Sequence, residues 1–218
     1  MVIYLDGADL ETMAELEPLV RGFTTNPSLM KKSGVKNYME FAKEALVIAK
    51  GKPVSFEVLA SDEFTMANQA LEIASWGDNA YVKVPVITIG GSFPDVLLRR
   101  LVSHAKLNVT AVMTLTQVER ASEILRGYPH IISIFAGRIA DTGRDPSDLF
   151  QVHTNCDLLW ASPRQIYDVV LAEEAGADII TLSPELLKKL SLKGKDLLQY
   201  SLETSQQFYE DGKGIEFV

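Results

Sequence analysis

Short apolar, β-branched runs recur along this chain, each followed by a stretch with helical spacing, and that alternation leaves few folds open. The runs are Val2–Asp6, Phe23–Asn26, Val54–Leu59, Ala80–Val86, Leu107–Met113, Ile131–Ala136, Leu158–Ala161 and Asp178–Leu182. Helical patterns cover Asp9–Leu19, Val35–Ala49, Asp62–Ser75, Pro94–His104, Gln117–Arg126, Pro163–Glu174 and Pro184–Leu190. Asp145–His153 reads as one short turn or helix, and a final amphipathic helix over Asp196–Tyr209 precedes a tail after Gly212. Continuous apolar strands joined by helical crossovers indicate a parallel sheet covered on both faces. Eight of them predict an α/β fold, a single-domain (β/α)8 TIM barrel over residues 1–218, with 196–218 as an extra C-terminal helix and tail. A doubly wound open sheet is the competitor. It would place a Gly-rich turn after the first strand, where Asp6-Gly7-Ala8-Asp9 offers one glycine and no GxGxxG.

The chain is long enough to bury a core, with 218 residues of which 47% are hydrophobic. Its net charge of -8 argues against a nucleic-acid partner, although a local arginine cluster can still make a pocket attractive to phosphate. One cysteine, Cys156, excludes an internal disulfide and a CxxC metal site. No charged leader followed by an apolar stretch opens the chain, and no apolar run reaches membrane-spanning length. The expectation is a soluble, cytoplasmic protein with no membrane partner.

Lys83 lies inside the apolar strand Ala80-Tyr81-Val82-Lys83-Val84-Pro85-Val86. A buried amine there must be paired or have its pKa lowered, and a lowered pKa makes lysine a nucleophile able to form a Schiff base with a ketone. The plainer account is a long side chain whose head reaches solvent at a strand end. In a barrel the chemistry collects at the C-terminal ends of the strands. Those ends carry Asp6, Asn26, Glu57, Lys83, Asn108 with Thr110, and Ser133 with Phe135. Pairs two residues apart share one face of a strand. Many polar side chains pointing into one mouth are costly as packing and suggest a solvated, hydrogen-bonded site.

Each residue also has a structural account. Asp6 reads equally well as a helix cap, and Asn26 before Pro27 as a cap with proline at the first helical position. Glu57 and Lys83 could form a purely structural ion pair. Thr110 and Ser133 are ordinary strand residues taken alone. Arg138 follows strand six. Ser162-Pro163-Arg164 reads as the capped first turn of a helix, a setting that suits phosphate. His104, His130 and His153 show no ligand spacing.

Tyr4-Leu5-Asp6, Thr24-Thr25-Asn26-Pro27-Ser28, Val82-Lys83-Val84-Pro85, Asn108-Val109-Thr110, Phe135-Ala136-Gly137-Arg138-Ile139 and Ala161-Ser162-Pro163-Arg164 occur in order along nearly the whole chain. In this the chain resembles the transaldolases, and in length their small class, which includes the fructose-6-phosphate aldolases. The resemblance implies that Lys83 forms the Schiff base and that Asp6 is the acid/base at the C4 hydroxyl. It implies that Glu57 and Thr110 hold the water of carbinolamine dehydration, and that Asn26, Asn108 and Ser133 contact the donor hydroxyls. Arg138, Ser162 and Arg164 would form a phosphate site. The implied reaction needs no metal or organic cofactor. It moves a dihydroxyacetone unit between sugar phosphates, as in the pentose phosphate pathway.

The aldolase branch resembles a variant with glutamine at the position of Glu57 and tyrosine at that of Phe135, so both residues here imply transfer. Cleavage with release of free dihydroxyacetone is the alternative, and a non-catalytic sugar-phosphate binder is a second. The resemblance also implies a homo-oligomer, a pentamer or decamer in which the C-terminal helix reaches a neighbour, with Phe217 suited to such a contact; a helix packed on its own chain is the alternative. Three departures lie near the mouth: a longer Ile87–Phe93 segment, Met113-Thr114 in place of an aromatic-serine pair, and a shortened stretch between Arg138 and Ser162.

Overall fold

A computed structural model describes residues 1–216; Phe217, expected to reach a neighbour, lies outside the described residues. Eight parallel strands close into a barrel in sequence order: β1 (Val2–Asp6), β2 (Gly22–Thr24), β3 (Val54–Glu57), β4 (Ala80–Pro85), β5 (Leu107–Val112), β6 (Ile131–Ile134), β7 (Asp157–Trp160) and β8 (Ile179–Leu182), with β8 pairing back onto β1. The helices are α1 (Leu10–Leu16), α2 (Pro27–Lys32), α3 (Tyr38–Ala49), α4 (Glu63–Ala74), α5 (Asp95–Leu101), α6 (Leu115–Ile124), α7 (Ala136–Ala140), α8 (Tyr167–Ala175), α9 (Pro184–Lys189) and α10 (Leu197–Asp211).

The period of two divides every strand. Leu5, Phe23, Phe56, Val82, Val109, Ile132, Trp160 and Ile180 face outward and form one core with the helices. Tyr4, Ile131, Leu159 and Ile179 face inward and fill the lower barrel. Gly22 is required beside Tyr4, because a Cβ there would stand 2.6 Å from the phenol ring. Above this plug the inward positions become polar: Asp6, Thr24, Ser55, Glu57, Lys83, Asn108, Thr110, Ser133 and Thr181. An apolar plug with a polar mouth is how a barrel separates folding from chemistry.

Local signals start most helices where the sequence predicts, within a few residues. Asp9, Asn37, Asp62, Ser183 and Asp196 each accept a first-turn amide, and Thr114 with Gln117 forms a capping box. Of the two short helices, α2 starts at the Asn26-Pro27 cap signal, whereas α7 has no such signal in the sequence. They have six and five residues, too few to show a hydrophobic period. The helix expected from Pro163 is corrected: α8 starts at Tyr167, no side chain caps it, and Ser162 has a left-handed φ of 63°. In the short stretch after α7, a 3-10 turn at Ser147–Gln151 replaces a full helix and stacks Phe150 on Trp160 at 5.0 Å. Among the described residues no helix is long and apolar enough to cross a membrane.

His130 is a buried structural residue whose Nδ1 accepts the Leu107 amide at 3.0 Å. Burial lowers its pKa from 6.5 to about 4. The unfolded chain therefore binds a proton that the native state refuses between those values, and stability present above pH 6.5 is lost as pH falls toward 4. Its share is at most about 3 kcal/mol. Urea titrations of His130→Gln across this range should show a flatter pH dependence than the parent; an unchanged slope would contradict this assignment.

Candidate active site

Lys83 points up the barrel from the middle of β4 and is 5% exposed. Its Nζ donates to the Thr25 carbonyl at 2.8 Å and stands 3.1 Å from Glu57 Oε2. Register makes this pairing unavoidable: Glu57 sits beside Lys83 across β3 and β4, and Lys83 beside Asn108 across β4 and β5. The ion pair expected as the plain alternative therefore exists. Yet both partners also border a cavity of about 510 Å³ at the mouth, shared with Asp6, Asn26, Thr110, Ser133, Phe135, Arg138 and Ser162.

Asp6 does not cap α1; Asp9 does. Instead Asp6 Oδ1 accepts from Thr24 Oγ1 at 2.8 Å, and Thr24 Oγ1 lies 2.5 Å from Thr181 Oγ1. Thr24 spends its one proton on the carboxylate, so Thr181 must donate to Thr24. Burial pushes the Asp6 carboxyl above the usual aspartate range, opposed by the Lys83 charge and the Thr24 hydroxyl, with Glu57 adding to the rise. A carboxyl poised this way suits proton exchange nearer neutrality.

Asn26 Oδ1 caps α2 through the Leu29 amide at 3.0 Å, and the residue also borders the cavity. Thr110 is 1% exposed, and its hydroxyl has no protein partner among the described residues. Next to it, Ala111 has a left-handed φ of 61°, where β5 and β6 shift register between Val109 and Val112. Such a bulge re-aims side chains at a barrel rim.

Asn108 lies deeper than expected. It is fully buried and stands beneath the cavity lining. Its Oδ1 accepts from Ser133 Oγ at 2.7 Å and its Nδ2 donates to Ser55 Oγ at 3.1 Å. Ser133 rises from this network into the lining. The Arg138 guanidinium lies over the Phe135 ring, 5.1 Å from its centroid. Arg164 stands apart from the lining and pairs with Asp141 at 2.5 Å.

Ser55, Thr24 and Thr181 were not singled out from the sequence. Each lies on the inward parity of its strand, two residues from an apolar or catalytic-type neighbour, and period-two reading of β2, β3 and β8 could have found them. No group of three or more potential metal-ligating side chains occurs among the described residues.

The sequence model of the family described as Transaldolase/Fructose-6-phosphate aldolase matches residues 3–216. A probable transaldolase of Methanococcus maripaludis is 34% identical over 200 residues, covering 87% of this chain and 89% of the relative. A probable transaldolase of Nitrosopumilus maritimus is 36% identical over 206 residues, covering 87% of each chain. Among solved structures, 3-hexulose-6-phosphate synthase from Salmonella typhimurium superposes with a TM-score of 0.63 at 15% identity, over 88% of this chain and 97% of that one. Orotidine 5'-phosphate decarboxylase from Pyrococcus horikoshii gives 0.62 at 15% identity, over 89% and 100%. Those two likenesses concern the barrel alone. With the match spanning β1 to the end of α10, the chain belongs to the transaldolase/fructose-6-phosphate aldolase family.

Proposed function

We propose that this protein is a cytoplasmic class I transaldolase that moves a dihydroxyacetone unit from a ketose phosphate to an aldose phosphate through a Schiff base on Lys83. The observation that carries the reading is the Lys83 amine at the floor of the mouth cavity, 3.1 Å from Glu57 and in the field of Asp6.

In this reading Glu57 takes a proton from the Lys83 ammonium, and the free amine attacks the ketose C2. Water leaves the carbinolamine, aided by Glu57 and the Thr110 hydroxyl, to give an iminium. Asp6 removes the C4 hydroxyl proton, the bond between C3 and C4 breaks, and its electron pair passes into the iminium as an enamine. The aldose phosphate departs. An acceptor aldehyde is then attacked by the enamine carbon while Asp6 returns the proton to its oxygen, and hydrolysis frees Lys83. Asn26 and Ser133 would hold donor hydroxyls, with Asn108 fixing Ser133 from below. Arg138 and Ser162 would hold the phosphate. No step requires a metal or organic cofactor.

Phe135 favours transfer over release. Its ring gives the cavity an apolar wall with no hydroxyl to hold a hydrolytic water, and Glu57 is engaged by Lys83. A lyase that releases free dihydroxyacetone is the second reading.

Borohydride added with a ketose phosphate should trap a covalent adduct on Lys83. Lys83→Met should abolish it and lower turnover at least about a thousandfold. Absence of the adduct in folded parent protein would refute the Schiff base. Product formation that depends on an added aldose phosphate identifies transfer, whereas dihydroxyacetone from donor alone identifies the lyase.

Asp6→Asn should cut kcat/KM by about 10²- to 10⁴-fold. In the parent, kcat/KM should fall as pH drops through the Asp6 pKa, above the ordinary value of 3.8. The native state holds this proton to higher pH than the unfolded chain, so the ionised carboxylate weakens the fold as pH rises through that raised pKa. Asp6→Asn should therefore leave Tm at neutral pH unchanged or higher; a marked drop would show that Asp6 is structural.

The protein is also proposed to form a homo-oligomer. Helix α10 has no buried residue and exposes Leu197, Leu198, Leu202 and Phe208, an apolar face that soluble monomers rarely carry. Analytical ultracentrifugation should find pentamers or decamers in the parent and smaller species in Leu198→Glu/Leu202→Glu; a monomeric parent would exclude the assembly.

A further inference from the structure

Helix α7 carries Arg138 and has five residues, too few to hold its own shape. One loop, between β7 and α8, grips it at both ends. At the first end the Gly137 amide donates to the Ala161 carbonyl at 3.3 Å. The Ser162 carbonyl packs so closely that a Cβ on Gly137 would stand 1.6 Å from it. Ser162 reaches this position by adopting a left-handed φ of 63°. At the second end Asp141, which closes α7, pairs with Arg164 of the same loop at 2.5 Å. The loop in turn is fastened to α8, where the buried Asp168 carboxylate accepts the amides of Arg164 and Gln165.

We infer that Arg164 is a positioning residue: through Asp141 it holds the short helix that presents Arg138, and it does not itself bind the phosphate. This rests on the reading of Arg138 as the phosphate-binding guanidinium. The two arginines differ in what neutralises them. Arg138 borders the cavity with no carboxylate partner among the described residues, while the charge of Arg164 is met by Asp141 outside the lining. A phosphoryl group in the cavity therefore meets one uncompensated guanidinium, held in place by a second.

The two possible roles of Arg164 predict opposite signs for Asp141. Were Arg164 a ligand, Asp141 would compete with the anion, and Asp141→Ala would tighten phosphate binding. As half of a clamp, Asp141→Ala must weaken it.

Calorimetric titration of the full-length protein with inorganic phosphate decides between them. Asp141→Ala and Arg164→Ala should each raise the phosphate Kd by about two- to fivefold, as befits a solvent-exposed pair. Arg138→Ala should raise it more than tenfold. Combining Asp141→Arg with Arg164→Asp should restore the parent value, which a general loss of structure would not do. Borohydride trapping of unphosphorylated dihydroxyacetone on Lys83 should be the same in parent, Asp141→Ala and Arg164→Ala. Tighter phosphate binding in Asp141→Ala, a loss in Arg164→Ala matching that in Arg138→Ala, or a parent that binds no phosphate would overturn the proposal. If the clamp variants behave as stated but the parent traps no adduct, the Schiff-base reading fails and the clamp stands.

Discussion

Closure of the eight-stranded barrel obliges every strand to turn alternate side chains into an enclosed interior. Most of the molecule follows from that constraint. Outward positions bury Leu, Val, Ile, Phe and Trp against the helices, and the apolar area removed from water there drives folding. Inward positions have no helices to meet. Below, Tyr4, Ile131, Leu159 and Ile179 close the interior. Above, the same parity places polar groups in mutual reach, where each must find a partner or bear the cost of burial.

The polar layer meets that requirement by sharing. Lys83 is held by Glu57 and the Thr25 carbonyl, Asp6 by the Thr24 hydroxyl, which in turn accepts from Thr181, and Asn108 by Ser55 and Ser133. Lys83 and Asp6 are tied on one side and border the cavity on the other, while Asn108 is enclosed beneath it. Thr110 differs from these, with a buried hydroxyl that has no protein partner among the described residues and borders the cavity. The layer is thus tied together without being saturated. Burial raises the Asp6 carboxyl above the ordinary aspartate range, against the opposing pull of the Lys83 charge and the Thr24 hydroxyl.

The rim is built on a different principle. Ala111 and Ser162 accept left-handed backbone conformations that cost non-glycine residues free energy. Both border the cavity, Ala111 one residue before the end of β5 and Ser162 two residues beyond the end of β7. Surrounding contacts hold them there: the register shift between β5 and β6 for Ala111, and the absence of a Cβ at Gly137 for Ser162.

Much of this was legible in the linear chain. Alternating apolar runs and helical spacings determine a parallel sheet covered on both faces, because only covered strands are apolar on both sides, and the missing GxGxxG after β1 favours the barrel over an open sheet. Inward parity determines that Asp6, Glu57, Lys83, Thr110 and Ser133 belong to one end of it. What the chain could not reveal is depth and pairing. Asn108 and Thr110 share a strand face, yet tertiary packing submerges one beneath its serine partners and leaves the other at the cavity. Ser162-Pro163-Arg164 has the spelling of a helix start, but the carbonyl contact with Gly137 forces Ser162 into a left-handed turn and delays the helix to Tyr167. Arg164 consequently faces Asp141 and not the cavity. Residue type and period are local properties and can be read from sequence; which of two arginines meets a carboxylate depends on segments that only folding brings together.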